Sequence, residues 1–148
     1  MIQFADTDPF KFLEQLQELF PLHYEELCVT KDYPLSPNYE QYKRLAECGM
    51  LKCVIVTHDE RVIGYVLFLV HKHLHYSTCM TAFEDIYWLH PEYRKGRIGI
   101  RMFQYAEKML KASGVNRIVM HTKVHQDHSR LFEYLGYKWT DKLFTKLI

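Results

Sequence analysis

Three things are scarce in this chain. No apolar run is long enough to cross a bilayer, and the opening MIQFADTDPF lacks the basic-then-apolar order of a secretory signal. Cys28, Cys48, Cys53 and Cys79 include no C-x-x-C pair, which removes the common zinc-knuckle and dithiol patterns. Reduced thiols in a cytoplasmic protein are therefore the expectation. Net charge is scarce too: 19 Lys and Arg against 18 Asp and Glu leave +1, so no global basic field points to nucleic acid. Neither a nucleic-acid nor a membrane partner is expected.

What is plentiful is bulk. Apolar residues make up 48% and aromatic residues 15%, with nine histidines, in 148 residues. That composition can fill one real core, so a single domain over residues 1–148 is expected.

The apolar spacing divides the chain into elements. MIQF reads as a short strand, and Asp8-Pro9 as an N-cap followed by proline at the first helical position. Phe12, Leu13, Leu16, Leu19 and Phe20 then recur at helical spacing. KDYPLSPNY is loop, and Tyr39, Tyr42, Leu45 and Ala46 suggest a second short helix. Val54–Val56 and Val62–Val70 read as strands joined through HDER, and FEDIYWLH as a third. Ile98, Met102, Tyr105, Ala106, Met109 and Leu110 mark a long helix stopped at Gly114. NRIVMHTKV is a further strand, DHSRLFEYLG a short helix, and YKWTDKLFTKLI a final strand or hairpin. The fold class is α/β, a mixed sheet with a central crossover helix.

Between FEDIYWLH and the long helix lies HPEYRKGRIG. A strand that passes into a helix through such a turn leaves N–H groups unpaired at the helix start. Gly96 and Gly99 admit backbone conformations that side chains block, and Arg94, Lys95 and Arg97 add charge to the positive helix end. A pyrophosphate would suit this place. On the glycines alone, a plain chain reversal with solvated basic residues is the simpler reading.

The order of motifs favours the first. Strand, HPEYR, basic glycine turn, amphipathic helix, strand, and short helix with LFEYLGY together resemble the GNAT superfamily of acyl-CoA-dependent N-acetyltransferases, from about Val54 to Ile148. The family signature is Gln/Arg-x-x-Gly-x-Gly/Ala. Arg94 fills its first position and Gly99 its last, while Arg97 stands where the middle glycine is usual and Gly96 is displaced by one. The resemblance implies a mixed, mostly antiparallel sheet flanked by helices and splayed at the cofactor site. It implies acetyl-CoA as co-substrate, with its pyrophosphate on the amides of Arg94, Lys95, Gly96, Arg97, Ile98, Gly99 and Ile100. It also implies the pantetheine arm along the strand that carries Tyr87, Trp88 and Leu89, and a contact from His125, where relatives often have asparagine.

Such a site must deprotonate its acceptor. An amine attacks a thioester only when neutral, and for a lysine-like amine that costs about 4–5 kcal/mol at neutral pH. A carboxylate can take the proton. Glu84 and Asp85 lie where the family places its base; Asp85 fits the usual spacing, and Glu84 fits if a bulge shifts the register. The family often protonates the departing thiolate with a tyrosine of the aromatic pair, and here that position is Phe132. The expected function is transfer of acetyl to a primary amine, on a small molecule or a protein. The alternative is a catalytically silent acyl-CoA-binding or interaction module on the same fold. Tyr87 and Trp88 could also line the acceptor pocket. His71, His73 and His75 share one face of an extended chain, but no cysteine or carboxylate completes a set and no metal is expected. Relatives frequently dimerise, which allows a homodimer here.

Overall fold

The structure is a computed structural model that describes all residues, Met1–Ile148. In chain order it has β1 (Ile2–Asp6), α1 (Leu13–Leu27), α2 (Tyr39–Glu47), β2 (Leu51–His58), β3 (Arg61–Lys72), β4 (Met80–Leu89), α3 (Ile98–Ala112), β5 (Arg117–Val119) and α4 (Ser129–Tyr134). Asp8 caps as its spacing predicts, its side chain accepting from the Phe10 N–H, but the turn it opens is a 3-10 turn over Pro9–Phe12 that leads into α1. No helix is long and apolar enough to cross a membrane.

The five strands form one sheet in the order β1-β2-β3-β4-β5, antiparallel from β1 to β4. β5 returns through α3 to lie parallel to β4. Side chains alternate across this sheet, so each face makes its own core. Val54, Val56, Val66, Phe68 and Ala82 pack with Met102, Phe103, Ala106 and Leu110 of α3 and with Phe132 of α4. Cys53, Ile55, Tyr65, Leu67 and Trp88 pack on the other face with Leu16 and Phe20 of α1. The expected α/β fold, mostly antiparallel with a crossover helix, is the observed one.

Two local departures from a regular sheet position the site. The register of β3 against β4 runs Leu67 to Ile86 and then Phe68 to Glu84, so Asp85 is the extra residue of a bulge. β5 pairs with β4 only at Thr81, Ala82 and Phe83. Beyond Phe83, β4 has no strand on that side, and the sheet splays open.

Two sequence expectations fail. NRIVMHTKV makes only a three-residue strand, because the chain leaves β4 at the bulge. YKWTDKLFTKLI forms neither strand nor hairpin: the Tyr137 N–H closes α4 on the Phe132 carbonyl, and residues 138–148 are exposed throughout. An alternating sequence becomes a strand only beside another strand.

Candidate active site

The splay is a cavity of about 270 Å³. β4 lines it from Glu84 to Leu89, α3 contributes Gly99, Met102 and Phe103, and the segment after β5 contributes His121, Thr122, Lys123 and Gln126. α1 closes it with His23, Glu26 and Leu27.

At one end lies the glycine turn. After a 3-10 turn at Pro91–Tyr93, the chain reaches Gly96 at φ +102°, a backbone region that favours glycine, and enters α3 at Ile98. No side chain caps this helix. Its first internal bond runs from the Arg101 N–H to the Arg97 carbonyl, so the N–H groups of Ile98, Gly99 and Ile100 have no acceptor within the helix. A Cβ on Gly99 would lie 3.9 Å from Leu89 Cδ2, in ordinary contact. Gly99 thus serves by keeping the cavity wall bare. Lys95 and Arg97 are exposed beside the turn. Amides and cations of this kind suit a phosphate group.

Arg94 does something else with its side chain. Nε donates to the Leu89 carbonyl at 2.7 Å, while Nη1 and Nη2 each donate to a different oxygen of Glu26 at 2.6 Å. The Glu26 carboxylate also accepts from Trp88 Nε1 at 2.8 Å and Gln126 Nε2 at 2.5 Å. Burial by itself would raise the Glu26 carboxyl, but the bonds from Arg94, Gln126 and Trp88 prevail and hold it at about 2. Three stretches of chain distant in sequence meet on one carboxylate: the end of α1, the end of β4 with the turn after it, and the segment before α4. The expectation that Arg94 holds a phosphate is not met in this arrangement: its guanidinium is spent on Glu26, and its backbone N–H donates to the Pro91 carbonyl at 3.2 Å.

At the other end lie the two carboxylates. Glu84 is in phase with Ala82 toward α3, and its side chain is 1% exposed. It pairs with His121 Nδ1 at 2.7 Å and accepts the His121 backbone N–H at 3.3 Å. Burial pushes the Glu84 carboxyl up against the pull of His121, and the bond from Glu84 raises His121. Asp85, on the bulge, is exposed to the cleft, and desolvation by its walls lifts its carboxyl. No hydrogen-bond donor holds it, so one of the pair is tied down and the other is free.

Tyr87 and Trp88 both line the cavity, on opposite faces of β4. Tyr87 packs against Phe103 and Phe132, and its hydroxyl is 2.9 Å from His128 Nδ1. Trp88 packs toward α1, stacked on His23. His23 is buried, and desolvation lowers its pKa to about 4. His125 is exposed in the turn between Lys123 and Gln126, and Asp127 accepts from the Ser129 N–H at the start of α4. The histidines after β3 make ring contacts among themselves and with Tyr76.

Glu26, His121, Gln126 and His128 were not singled out by sequence. His121 sits within NRIVMHTKV and His128 within DHSRLFEYLG, stretches read as strand and helix, while Gln126 falls between them. Glu26 had no signal, since its partners lie 62 to 100 residues away.

Comparison with known proteins bears on the fold and the family. No curated protein matches the chain in sequence. An aminoglycoside acetyltransferase from an uncultured soil metagenomic sample, in complex with sisomicin, superposes with TM-score 0.75 at 12% identity, over 100% of this chain and 95% of that one. A predicted acetyltransferase from Clostridium acetobutylicum, with acetyl-CoA, gives 0.73 at 11% identity over 99% and 96%. Ribosomal-protein-alanine N-acetyltransferase from Brucella melitensis biovar Abortus 2308 gives 0.72 at 12% over 99% of each chain. At such identities the likeness is one of fold. The family model described as Acetyltransferase (GNAT) family, however, matches residues 13–137, and the chain belongs to that family.

Proposed function

We propose that this protein transfers an acetyl group from acetyl-CoA to a primary amine by direct attack of the amine on the thioester. The observation that carries the reading is the continuity of one cavity, from the uncapped start of α3 at Gly99, along the unpaired edge of β4, to the free carboxylate of Asp85. The amides of Ile98, Gly99 and Ile100, with Lys95 and Arg97, suit the pyrophosphate. The bare edge of β4 suits the pantetheine arm, as one strand edge suits another amide chain. A structural neighbour with acetyl-CoA supports the same co-substrate.

Asp85 is the base of choice. It lines the cavity, and no hydrogen bond ties it down. The partial desolvation that lifts its pKa also makes its carboxylate a better proton acceptor. Glu84 borders the cavity, but its side chain is 1% exposed and committed to His121, which it holds in position. The neighbours range from an acetyltransferase in complex with sisomicin to a ribosomal-protein-alanine N-acetyltransferase, so amine is the class this fold supports.

Phe132 favours a second reading, a silent acyl-CoA-binding module, because a phenyl ring has no proton to give a leaving thiolate. Isothermal titration with acetyl-CoA, followed by an amine screen, separates the two. Binding that the Lys95→Ala/Arg97→Ala variant weakens at least tenfold, together with turnover of some amine, supports the enzyme. Binding with no turnover supports the module, and no binding by the parent protein rejects both.

A further inference from the structure

The missing hydroxyl at Phe132 has a neighbour that could replace it. Phe132 is 6% exposed and stands behind the cavity wall, not in it. Its ring meets Tyr87 edge to face, with centroids 5.8 Å apart and planes at 84°. Tyr87 does line the cavity, and so does His128, whose Nδ1 is 2.9 Å from the phenolic oxygen.

The His128 ring is well placed to be a fixed partner. Its backbone N–H donates to Thr122 Oγ1 at 2.8 Å, and the Thr122 hydroxyl donates to the Gln126 carbonyl at 3.0 Å. Burial raises the Tyr87 phenol to about 12 and lowers His128, so at neutral pH one is protonated and the other uncharged. The ionisable groups acting on the pair are Glu84 and Asp127 on Tyr87, and Arg94, Asp127 and Glu26 on His128. Tyr87 lies two residues beyond Asp85, about 7 Å along a strand. A thioester bound along β4 between them would have a base on one side and a phenol on the other.

We propose that Tyr87 donates a hydrogen bond, and then its proton, to the departing CoA sulfur, and that His128 resupplies that proton. The inference rests on acetyl-CoA binding as described above. With its own proton on Nδ1, His128 donates to the Tyr87 oxygen and leaves the phenolic hydrogen free for the cavity. As the thioester C–S bond breaks, its electron pair goes to sulfur and the phenolic proton forms the S–H bond. The Nδ1 proton of His128 moves to the phenolic oxygen while Nε2 takes one from water. The count closes, because the amine gives one proton to Asp85, which releases it to solvent. The chain has kept the donor and moved it from α4 to β4.

The test needs no acceptor. CoA is bound to the parent protein and to Tyr87→Phe, His128→Ala and the Tyr87→Phe/Phe132→Tyr pair, and the thiol is titrated by the ultraviolet absorbance of its thiolate. Tyr87→Phe keeps the ring and its packing, and circular dichroism confirms folding. A donor at sulfur stabilises the thiolate, so losing it should raise the pKa of the bound thiol by about one unit, the size of one charge-assisted hydrogen bond. His128→Ala should raise it less, and the double variant should recover part of the shift. With any amine that turns over, Tyr87→Phe should also lower kcat about 100-fold with acetyl-CoA affinity unchanged. CoA that binds with the same thiol titration in parent and Tyr87→Phe overturns the inference and leaves the acetyltransferase reading intact. CoA that does not bind the parent protein at all removes both, and the two failures are thus distinct.

Discussion

Arg94 and Glu26, 68 residues apart, face each other as a two-pronged pair, each guanidinium nitrogen 2.6 Å from its own carboxylate oxygen. The first residue of the cofactor-turn signature is thereby tied to the C-terminal half of α1. Trp88 and Gln126 join the same carboxylate, so one side chain fixes the end of β4, the start of the turn and the loop before α4.

This pair makes a prediction about acid stability. The Glu26 carboxyl is held at about 2 when folded, against 4.5 for a free carboxyl. A depressed carboxylate contributes stability above its unfolded pKa and loses it as pH falls through the folded value. Glu26→Gln should therefore cost the protein about 2–3 kcal/mol at pH 7, and the difference should shrink between pH 4.5 and 2. Urea unfolding of both proteins at several pH values tests this. A gap that stays constant with pH would show that Glu26 acts through packing alone.

Asp85→Asn and Glu84→Gln should fail differently. Asp85→Asn removes the base and should lower kcat by about 10²–10⁴ with acetyl-CoA binding unchanged. Because desolvation raises the Asp85 carboxyl, the rising acid limb of the rate profile should lie above the ordinary aspartate value, and it should vanish in the variant. Glu84→Gln leaves the buried His121 contact half-made and should lower stability along with rate. Equal rates for Asp85→Asn and parent would move the base to the Glu84–His121 pair.

Gly64 is needed for space. A Cβ there would lie 2.8 Å from Leu89 Cδ1 and 2.9 Å from the Trp88 carbonyl. The backbone oxygen cannot step aside without moving the end of β4, where the cavity wall begins. Gly64→Ala should cost about 1–3 kcal/mol in thermal or chemical unfolding and weaken acetyl-CoA binding as well. Full stability would mean that β4 yields more easily than its pairing with β3 implies.

The sequence was most legible where one stretch of chain decides its own structure. Ile98, Met102, Ala106 and Leu110 repeat at helical spacing, and all of them pack toward the sheet in α3. RKGRIG announces a strand-to-helix turn because glycine at positive φ and an uncapped helix start are local facts. Contacts that depend on tertiary placement were hidden. Glu84 and His121 come together only because β4 and β5 part after Phe83, and Tyr87 meets Phe132 only because α4 packs against β4. Asp85 was legible as a carboxylate in the strand before the glycine turn; that the bulge would leave it free while burying Glu84 depends on the register with β3.

The same reasoning applies to the C-terminal segment, where local pattern and observed structure disagree. Trp139, Leu143 and Leu147 recur at intervals of four, each preceded by a lysine, and all three apolar side chains are exposed, as are Phe144 and Ile148. β5 has β4 on one side and no strand on the other. An open sheet edge and an exposed apolar segment in one chain favour association between copies. Sedimentation equilibrium in the micromolar range should find a dimer, and Leu143→Lys/Phe144→Lys should return it to monomer without loss of helix content. A parent protein that stays monomeric at every concentration, with slow amide exchange over 139–147, would place that segment on its own β5 and refute the dimer.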